Sequence, residues 1–266
     1  HAQNPISAVA MKNVNGKKIL SLQGDFSKQI TLLHGHTAGN LSAKLEKNAL
    51  EWADVITVPS KEMYDEYTKN DYNVSYVPNA IDISSFSQDE DRRYEKQLIY
   101  AGRLSKEKGI LDLLEISEKI TADTHLIIIG SGPEESKVKD VEKNFPNVHY
   151  LGYQSKKNTI KLIRGSDILI QPSIMEGGTS STLLEAMACK TPIIATSVGG
   201  NKETVIHMKT AYVVMPHCSL EIYNAINDLL VNSEKRKILS DNAYKMVQKY
   251  DWEHIGQKYL DVYNDL

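Results

Sequence analysis

Short apolar runs alternate with longer stretches of helical periodicity from about residue 96 onward. The runs are brief and nearly continuously apolar, as are strands that are buried on both faces of a sheet. This alternation predicts βα units on a parallel sheet, and therefore an α/β fold. The predicted strands are 96–101, 125–129, 148–151, 168–170 and 192–196, and the predicted helices are 109–119, 134–144, 155–164, 180–189 and 220–231.

The first 90 residues show a shorter version of the same alternation. Apolar runs predict strands at 30–33, 55–58 and 75–77, and helical spacing predicts helices at 41–52 and 61–70.

A polar segment from Ser84 to Arg93 is typical of an exposed connection between domains. This connection separates a first domain at 1–90 from a second domain at 91–248. A terminal helix at 249–266 follows the second domain. That helix is predicted to be amphipathic, with one apolar face formed by Trp252, Ile255, Tyr259 and Tyr263.

Composition narrows the class of protein. The 266 residues are 41% hydrophobic, which is enough to fill a core, and 31 basic against 34 acidic residues leave a net charge of −3. Without a basic excess, nucleic acid is not an expected partner. No apolar stretch reaches the roughly 18 residues of a membrane span, and the N-terminus lacks the pattern of a signal peptide. We therefore expect a soluble, cytoplasmic protein.

Cys189 and Cys218 have no metal-type spacing and are predicted to be free, buried thiols.

Arg103 follows the predicted strand 96–101, and Lys108 comes just before the next helix. Ligands of open α/β sheets bind at the carboxyl ends of strands, and two cations beside a helix N-terminus favour an anion. The segment therefore predicts an anion site; two solvated surface cations are the alternative.

Two loops rich in glycine follow later strands. Gly130-Ser131-Gly132-Pro133 would let a ligand approach the backbone, although a plain tight turn explains it equally well. The segment from Pro172 to Ala188 contains Glu176, two glycines, a helix start near Ser180 and Glu185. Its helix amides suit phosphate, and its carboxylates suit sugar hydroxyls. Glu185 could instead only stabilise the helix dipole.

Together these segments resemble the retaining glycosyltransferases of the GT-B fold, family 4 type, also described as glycosyl transferases group 1. The resemblance runs from about His34 to the C-terminus and is most specific from Tyr100 to Gly200. The matching segments are Gly102-Arg103-Leu104 with Lys108-Gly109, Gly130-Ser131-Gly132-Pro133, Leu151-Gly152-Tyr153, Leu183-Leu184-Glu185-Ala186-Met187-Ala188, Val198-Gly199-Gly200, and Val77-Pro78-Asn79-Ala80-Ile81-Asp82, where Ala80 replaces a glycine.

The resemblance implies a donor site in the second of two Rossmann-like domains. Arg103 and Lys108 would neutralise the leaving diphosphate in place of a metal ion, and the amides of Ser181 and Thr182 would also meet it. Glu185 would bind the ribose hydroxyls. The remaining donor-binding positions are Gly132 in the glycine-rich loop and the base-holding backbone of Tyr153 and Gln154.

Two further residues are implied to be catalytic. Glu176 resembles the carboxylate that contacts the donor sugar, and His34 resembles a histidine at the end of a strand of the first domain, with His36 as the alternative. No metal site is expected, because the single Asp-x-Asp pair, Asp89 and Asp91, lies in the predicted linker.

The chain departs from the family pattern in two ways. Eight residues separate Glu176 from Glu185, where the family usually has seven, and only 33 residues precede His34. The first domain is therefore expected to be incomplete and the second complete, with the terminal helix crossing back onto the first.

The implied activity is the transfer of a hexose from a UDP or GDP donor to a hydroxyl acceptor, with no cofactor beyond that donor. Cell-surface glycan synthesis is the expected setting, a saccharide or lipid-linked saccharide is the expected acceptor, and peripheral membrane association of the full-length protein is left open. Two alternatives stand beside it: a nucleotide-sugar-binding fragment without catalysis, and a non-transferring GT-B enzyme such as a 2-epimerase.

Overall fold

The computed structural model describes all residues from His1 to Leu266, and they form two compact units. The first unit comprises residues 1–80, 176–179 and 252–266, and the second comprises residues 81–175 and 180–251.

Nine strands and eleven α-helices make up the two units. The strands are β1 (Ile19–Ser21), β2 (Val55–Val58), β3 (Val74–Tyr76), β4 (Lys96–Ala101), β5 (Thr124–Ile129), β6 (Val148–Tyr150), β7 (Ile168–Gln171), β8 (Ile193–Thr196) and β9 (Tyr212–Val214). The helices are α1 (Pro5–Met11), α2 (Phe26–His34), α3 (His36–Trp52), α4 (Lys61–Lys69), α5 (Ile110–Leu114), α6 (Glu135–Asn144), α7 (Lys156–Arg164), α8 (Ser181–Cys189), α9 (Ser219–Val231), α10 (Ser233–Val247) and α11 (Trp252–Asn264).

The first unit contains a parallel sheet in the order β1-β2-β3. One face of the sheet, including Leu20 and Ile56, is buried in a cluster with residues of α1, α3 and α4. The other face, including Ile19 and Val55, packs against Ile255 and Val262 of α11. The sheet is therefore covered by helices on both faces, as parallel sheets require.

The second unit contains a six-stranded sheet in the order β6-β5-β4-β7-β8-β9, and every pairing is parallel. From β4 the chain first builds outward through β5 and β6, and then returns to place β7 on the other side of β4. This reversal is the topological switch point of a Rossmann-like sheet, where ligands bind beyond the carboxyl ends of the strands. The two faces bury separate apolar clusters, one with α7, α8 and α10 and one with α5, α6 and α9.

The five strands predicted for the second half of the chain are all present, each within one residue of its predicted ends. Helix 109–119 is shorter than predicted, because α5 ends at Leu114 and a separate 3-10 turn covers Ser117–Lys119. Strand β9 and helix α10 were not predicted.

The predicted strand at 30–33 is wrong, since these residues lie within α2. The Asp25 side chain caps this helix by accepting the Lys28 N–H at 2.9 Å, and the Thr31 hydroxyl donates to the Ser27 carbonyl one turn earlier. The strand in this part of the chain is instead β1, only three residues long and fully buried. His34 therefore ends a helix, whereas the residue that follows β1 and Leu22 is Gln23.

The polar segment 84–93 belongs to the second unit. It is attached there by ion pairs from Asp89 to Lys161 at 2.8 Å and from Arg92 to Asp167 at 2.9 Å. The division between the two units falls at Ala80, ahead of the polar segment rather than within it.

The apolar face of α11 differs from the predicted one. Ile255 is buried as expected, but Trp252 and Tyr263 are each about half exposed, and Val262 fills the buried position instead. The Tyr263 hydroxyl is 2.6 Å from Nδ1 of His1. The helix packs on the first unit through Ile255 and Val262.

Both cysteines are free. Cys189 is buried, and this burial raises the pKa of its thiol to about 12. Cys218 is only half-buried, so the prediction of two buried thiols is wrong for this residue.

Candidate functional site

A cavity of about 720 Å³ opens at the carboxyl ends of β4 and β5 in the second unit. It lies beside the switch point of the sheet, where a Rossmann-like fold is expected to bind its ligand. Its lining comprises Ala101, Gly102, Arg103, Ile129, Gly130, Ser131, Gly132, Pro133, Tyr153, Gln154, Lys156, Thr159, Ser181, Thr182 and Glu185.

One wall of the cavity consists of backbone from two loops in direct contact. Gly130 has a φ of +131°, and a Cβ atom there would overlap the carbonyl oxygen of Gly102. A Cβ on Gly132 would overlap the backbone of Leu104 in the same way. The Leu104 N–H donates to the Ser131 carbonyl at 2.9 Å, which holds the loops together. The glycines predicted to admit a ligand are thus required by the packing of the two loops.

Arg103 lies directly beyond β4, at the edge of this wall. The Tyr100 hydroxyl donates to the Arg103 carbonyl at 2.8 Å, which fixes the backbone. The Arg103 side chain is about half exposed, and its Nη1 lies 3.9 Å from Oε1 of the buried Glu107. Because that contact is long, the planar guanidinium retains donors that can bind a second anion.

Lys108 does not line the cavity. It ends the 3-10 turn Lys106–Lys108 and is half-buried. Gly109 follows it with a φ of +68°, and a Cβ there would overlap the carbonyl oxygen of Pro172. The structure therefore brings Arg103 to the cavity and leaves the second predicted cation outside its lining.

The N-terminus of α8 forms another part of the wall. The Ser180 N–H donates to Oδ1 of Asn201 at 2.9 Å, and no side chain caps the helix. Ser181 and Thr182 line the cavity at this end. The first N–H groups of a helix have no partner within the helix, and the dipole adds positive potential there.

Glu185 follows one turn later on α8. It is almost completely buried, at 9% exposure, and Nζ of Lys156 lies 3.8 Å from its Oε1. Burial raises the pKa of the Glu185 carboxyl, and the nearby Lys156 ammonium partly opposes this effect. The cavity therefore combines positive potential at the helix start with one buried acceptor carboxylate.

The loop after β6 forms the opposite end of the cavity. Gly152 turns the chain with a φ of +66°, and Tyr153 is left 79% exposed. The Gln154 side chain donates to the Leu151 carbonyl at 2.7 Å, so its amide nitrogen is occupied within the loop. An exposed ring and a fixed loop backbone suit a planar heterocycle.

The two residues predicted to be catalytic belong to the first unit. His34 is the exposed last residue of α2, and His36 is the exposed first residue of α3. Glu176 begins the four-residue segment 176–179 that is grouped with the first unit.

The segment 176–179 packs on the loops that follow the strands of the first unit. A Cβ on Gly177 would overlap the backbone of Gln23 and Gly24, and a Cβ on Gly178 would lie 2.7 Å from Cβ of Pro59. The Asn79 side chain donates to the Thr179 carbonyl at 2.8 Å. Both glycines that follow Glu176 are therefore explained by close packing.

Sequence reasoning missed Lys156 and Thr159, which line the cavity from the first turn of α7. Their spacing of three residues places them on one face of a helix, and this was the available signal. It also missed that Gln23 lies just beyond the carboxyl end of a strand in the first unit. No group of three or more His, Cys, Asp or Glu side chains could hold a metal ion, and none of the helices has the length and apolar character to cross a membrane.

The fold is that of GT-B glycosyltransferases, with two Rossmann-like units. The sequence pattern of the family described as glycosyl transferases group 1 matches residues 83–246, which is more than half of the chain. The chain belongs to this family and is a glycosyltransferase.

Curated relatives are distant in sequence. An uncharacterized glycosyltransferase of Methanocaldococcus jannaschii is 25% identical over 95% of this chain and 67% of its own length. The N-acetyl-alpha-D-glucosaminyl L-malate synthase of Bacillus anthracis is 27% identical over 91% of this chain and 69% of its own. The chain spans between 45% and 69% of the length of the first relatives that it matches.

Solved structures share the fold across nearly the whole chain. Sucrose-phosphate synthase from Thermosynechococcus elongatus superposes with a TM-score of 0.85 at 21% identity, covering 99% of this chain and 72% of its own. HepE of Anabaena, solved in complex with UDP and glucose, superposes with a TM-score of 0.83 at 18% identity. The match covers 99% of this chain and 76% of HepE.

Proposed function

We propose that this chain is a retaining, metal-independent glycosyltransferase that transfers a hexose from a UDP or GDP donor to a hydroxyl acceptor. The observation that carries the proposal is the cavity at the switch point of the second unit. It combines a half-exposed arginine, an uncapped helix N-terminus and a buried carboxylate around about 720 Å³. The arginine and the helix N-terminus suit a diphosphate, and the carboxylate can accept hydrogen bonds from ribose hydroxyls.

The proposed binding mode follows from the charge of each wall. The diphosphate lies against the Arg103 guanidinium and the amides of Ser181 and Thr182, where cation and dipole both favour an anion. The ribose hydroxyls donate to Glu185. The base lies against Tyr153 and the backbone that leads to Gln154.

In the proposed reaction, the bond between the anomeric carbon and the diphosphate oxygen breaks, and a bond from the same carbon to the acceptor oxygen forms. The acceptor proton leaves with the departing phosphate or to solvent. Negative charge accumulates on the diphosphate as this bond breaks, so Arg103 and the helix amides stabilise the transition state more than the ground state. These groups take the role that a divalent cation has in other enzymes.

The proposal also assigns roles to residues that do not line the cavity. Lys108 is assigned to the donor diphosphate, and Glu176 and His34 to the donor sugar, on the resemblance to the family. Gln23 is added as a candidate beside His34, because it lies in the loop just beyond β1, two residues after Ser21. Eight residues, 177–184, separate Glu176 from Glu185, and two of them, Gly177 and Gly178, pack closely on residues of the first unit.

UDP is the first nucleotide to test as the carrier of the donor sugar, because HepE of Anabaena was solved with UDP and with UDP-glucose. A saccharide acceptor is supported by relatives such as the lipopolysaccharide 1,2-N-acetylglucosaminetransferase of Salmonella typhimurium, 27% identical over 70% of this chain. GDP donors, a cytoplasmic location, a role in cell-surface glycan synthesis and membrane association of a full-length protein remain expectations.

Calorimetric titration of UDP and GDP tests the donor site. We expect Arg103→Ala to weaken binding of the preferred nucleotide by roughly 1.5–3 kcal/mol, as expected for a charge-assisted hydrogen bond. Lys106→Ala is the matched control, because Lys106 is an exposed cation of the neighbouring turn that does not line the cavity. Equal affinities for Arg103→Ala and the wild type would refute the donor-site assignment.

The same titration in EDTA tests metal independence. The affinity is expected to stay within about twofold, since no ion bridges the diphosphate in the proposed site. A loss of about tenfold or more that added magnesium or manganese restores would show that nucleotide binding needs a metal ion and would contradict the proposal.

A further inference from the structure

Lys156 occupies an unfavourable place in its own helix. It is the first residue of α7, after Ser155, whose side chain caps the helix by accepting the Asn158 N–H at 3.3 Å. A cation in the first turn faces the positive end of the helix dipole and reduces helix stability. A favourable contact with another group would offset this cost.

That contact is the buried carboxylate of the donor cavity. Nζ of Lys156 lies 3.8 Å from Oε1 of Glu185, and the Lys156 side chain is 66% exposed while that of Glu185 is 12% exposed. The ammonium also lies 5.7 Å from the ring centroid of Phe86, within the range of a cation–π contact. The ammonium of this cavity-lining residue thus contacts both an aromatic ring and a carboxylate.

The neighbouring Lys157 provides a contrast. Lys156 lines both the donor cavity and a second cavity formed with Ser84–Ser87, whereas Lys157 lines the second cavity but not the donor cavity. Both lysines are exposed cations in the first turn of the same helix, so they differ mainly in whether they reach Glu185.

We propose that Lys156 is a positioning residue of the donor site, whose ammonium pairs with the Glu185 carboxylate and directs it at the ribose hydroxyls of a bound nucleoside diphosphate. This inference rests on the proposed function, because it assigns Lys156 to the same cavity. It adds a residue on α7 to the groups that hold the donor.

The charges around Glu185 account for the expected pH dependence. Burial raises the pKa of Glu185, and Lys156 is the group that lowers it. Arg103 and Tyr153 are further ionisable residues that line the same cavity, and Cys189 lies on the same helix, where burial raises the pKa of its thiol to about 12. Without Lys156, Glu185 becomes protonated at a higher pH, and a neutral carboxyl accepts weaker hydrogen bonds than a carboxylate.

The experiment is calorimetric titration of the full 266-residue chain with UDP, and with GDP if UDP does not bind, between about pH 5.5 and pH 8. The variants are Lys156→Met and Lys156→Arg, with Lys157→Met as the matched control. Lys156→Met is expected to lose about two- to fivefold in affinity at the acidic end, as expected for a partly exposed ion pair, and less at the alkaline end. Lys156→Arg is expected to keep the wild-type profile, and Lys157→Met to match the wild type throughout.

Making Lys156→Met in a Glu185→Gln variant separates the effect of the Glu185 charge from the effect of lost side-chain packing. In Glu185→Gln, which cannot ionise, the pH-dependent part of the Lys156→Met effect is expected to disappear. If Lys156→Met has the same affinity and pH profile as Lys157→Met while the wild type binds nucleotide, the inference is overturned and the donor site stands. If the wild type binds neither UDP nor GDP, the proposed function fails and the inference fails with it.

Discussion

At the residue scale, the charge of the donor cavity is set by two buried glutamates that act on two exposed cations. Glu107 is 8% exposed, accepts the Ser105 hydroxyl at 2.6 Å and lies 3.9 Å from Arg103. Glu185 is paired with Lys156 at 3.8 Å. Each cation is thus paired with a buried carboxylate while more than half of its side chain faces solvent, as a site that must receive an anion requires.

A second group of ionisable residues lies outside the cavity, near the amino ends of β5 and β6. Nδ1 of His125 is 2.9 Å from Nε2 of His149, and the Tyr94 ring stacks on both imidazoles at centroid distances of 3.9 and 4.6 Å. A hydrogen bond between two imidazoles needs one donor and one acceptor nitrogen, so full protonation of both rings breaks it.

This pair predicts a loss of stability in mild acid. Burial, and then the neighbouring His125, lowers the pKa of His149, with Glu142 opposing and Arg93 reinforcing the effect. The folded state then binds fewer protons than the unfolded state, so the free energy of unfolding falls as pH drops through the ordinary histidine pKa. Because the ring is partly exposed, we expect the effect to be well below the ~1.4 kcal/mol of a full-unit shift.

Urea unfolding at a series of pH values measures this effect. His149→Gln is expected to flatten the fall in stability between about pH 7.5 and pH 5.5, the range around the histidine pKa. His254→Gln, which changes an exposed histidine of α11, is expected to leave it unchanged. A wild-type slope retained in His149→Gln would contradict the assignment.

At the scale of elements, the two loops that form the backbone wall determine the shape of the cavity. Gly130→Ala would require an alanine at a φ of +131° and would force its Cβ into the Gly102 carbonyl. We expect a loss of roughly 1–3 kcal/mol in the free energy of unfolding together with weaker UDP binding. Both are measured on one purified variant by urea unfolding and calorimetry.

Gly256→Ala is the control for this substitution. Gly256 lies inside α11, and a Cβ there meets nothing within 4 Å. The change is expected to stabilise the chain by roughly 0.5–1 kcal/mol, since alanine favours a helix interior. If Gly130→Ala is as stable as the wild type, the close packing of the two loops is not as described.

The elements show which parts of the fold the sequence could predict. Strands buried on both faces, such as β4 and β5, are long apolar runs and were predicted to within one residue. The run 30–33 looks equally apolar, but the cap at Asp25 and the polar residues before it make it the end of a helix. The three residues of β1 carry too short a pattern to compete with it, so the strand was missed and His34 was placed at a strand end.

The site could be predicted to a different extent in each unit. In the second unit, the segments at Arg103, Gly132, Tyr153 and Glu185 meet at one cavity because each follows a strand or starts a helix at the same edge of the sheet. Lys156 was missed because it belongs to no motif and reaches the cavity only through the orientation of α7. In the first unit, the predicted position of His34 at a strand end was wrong, because the run 30–33 lies within α2.

At the scale of the whole molecule, two parallel sheets with helices on both faces form two Rossmann-like units. The second unit contains the complete set of donor-cavity residues within residues 81–175 and 180–251. Nucleotide binding is therefore a property that this unit is expected to show through its own residues.

A crystal structure of the chain grown with UDP in the presence of EDTA tests the central claim most directly. We predict that the diphosphate contacts Arg103 and the first amides of α8, and that the ribose hydroxyls donate to Glu185. The uracil is predicted to lie against Tyr153, with no metal ion on the phosphates. UDP bound elsewhere, or a cavity that stays empty at saturating UDP, would contradict the account.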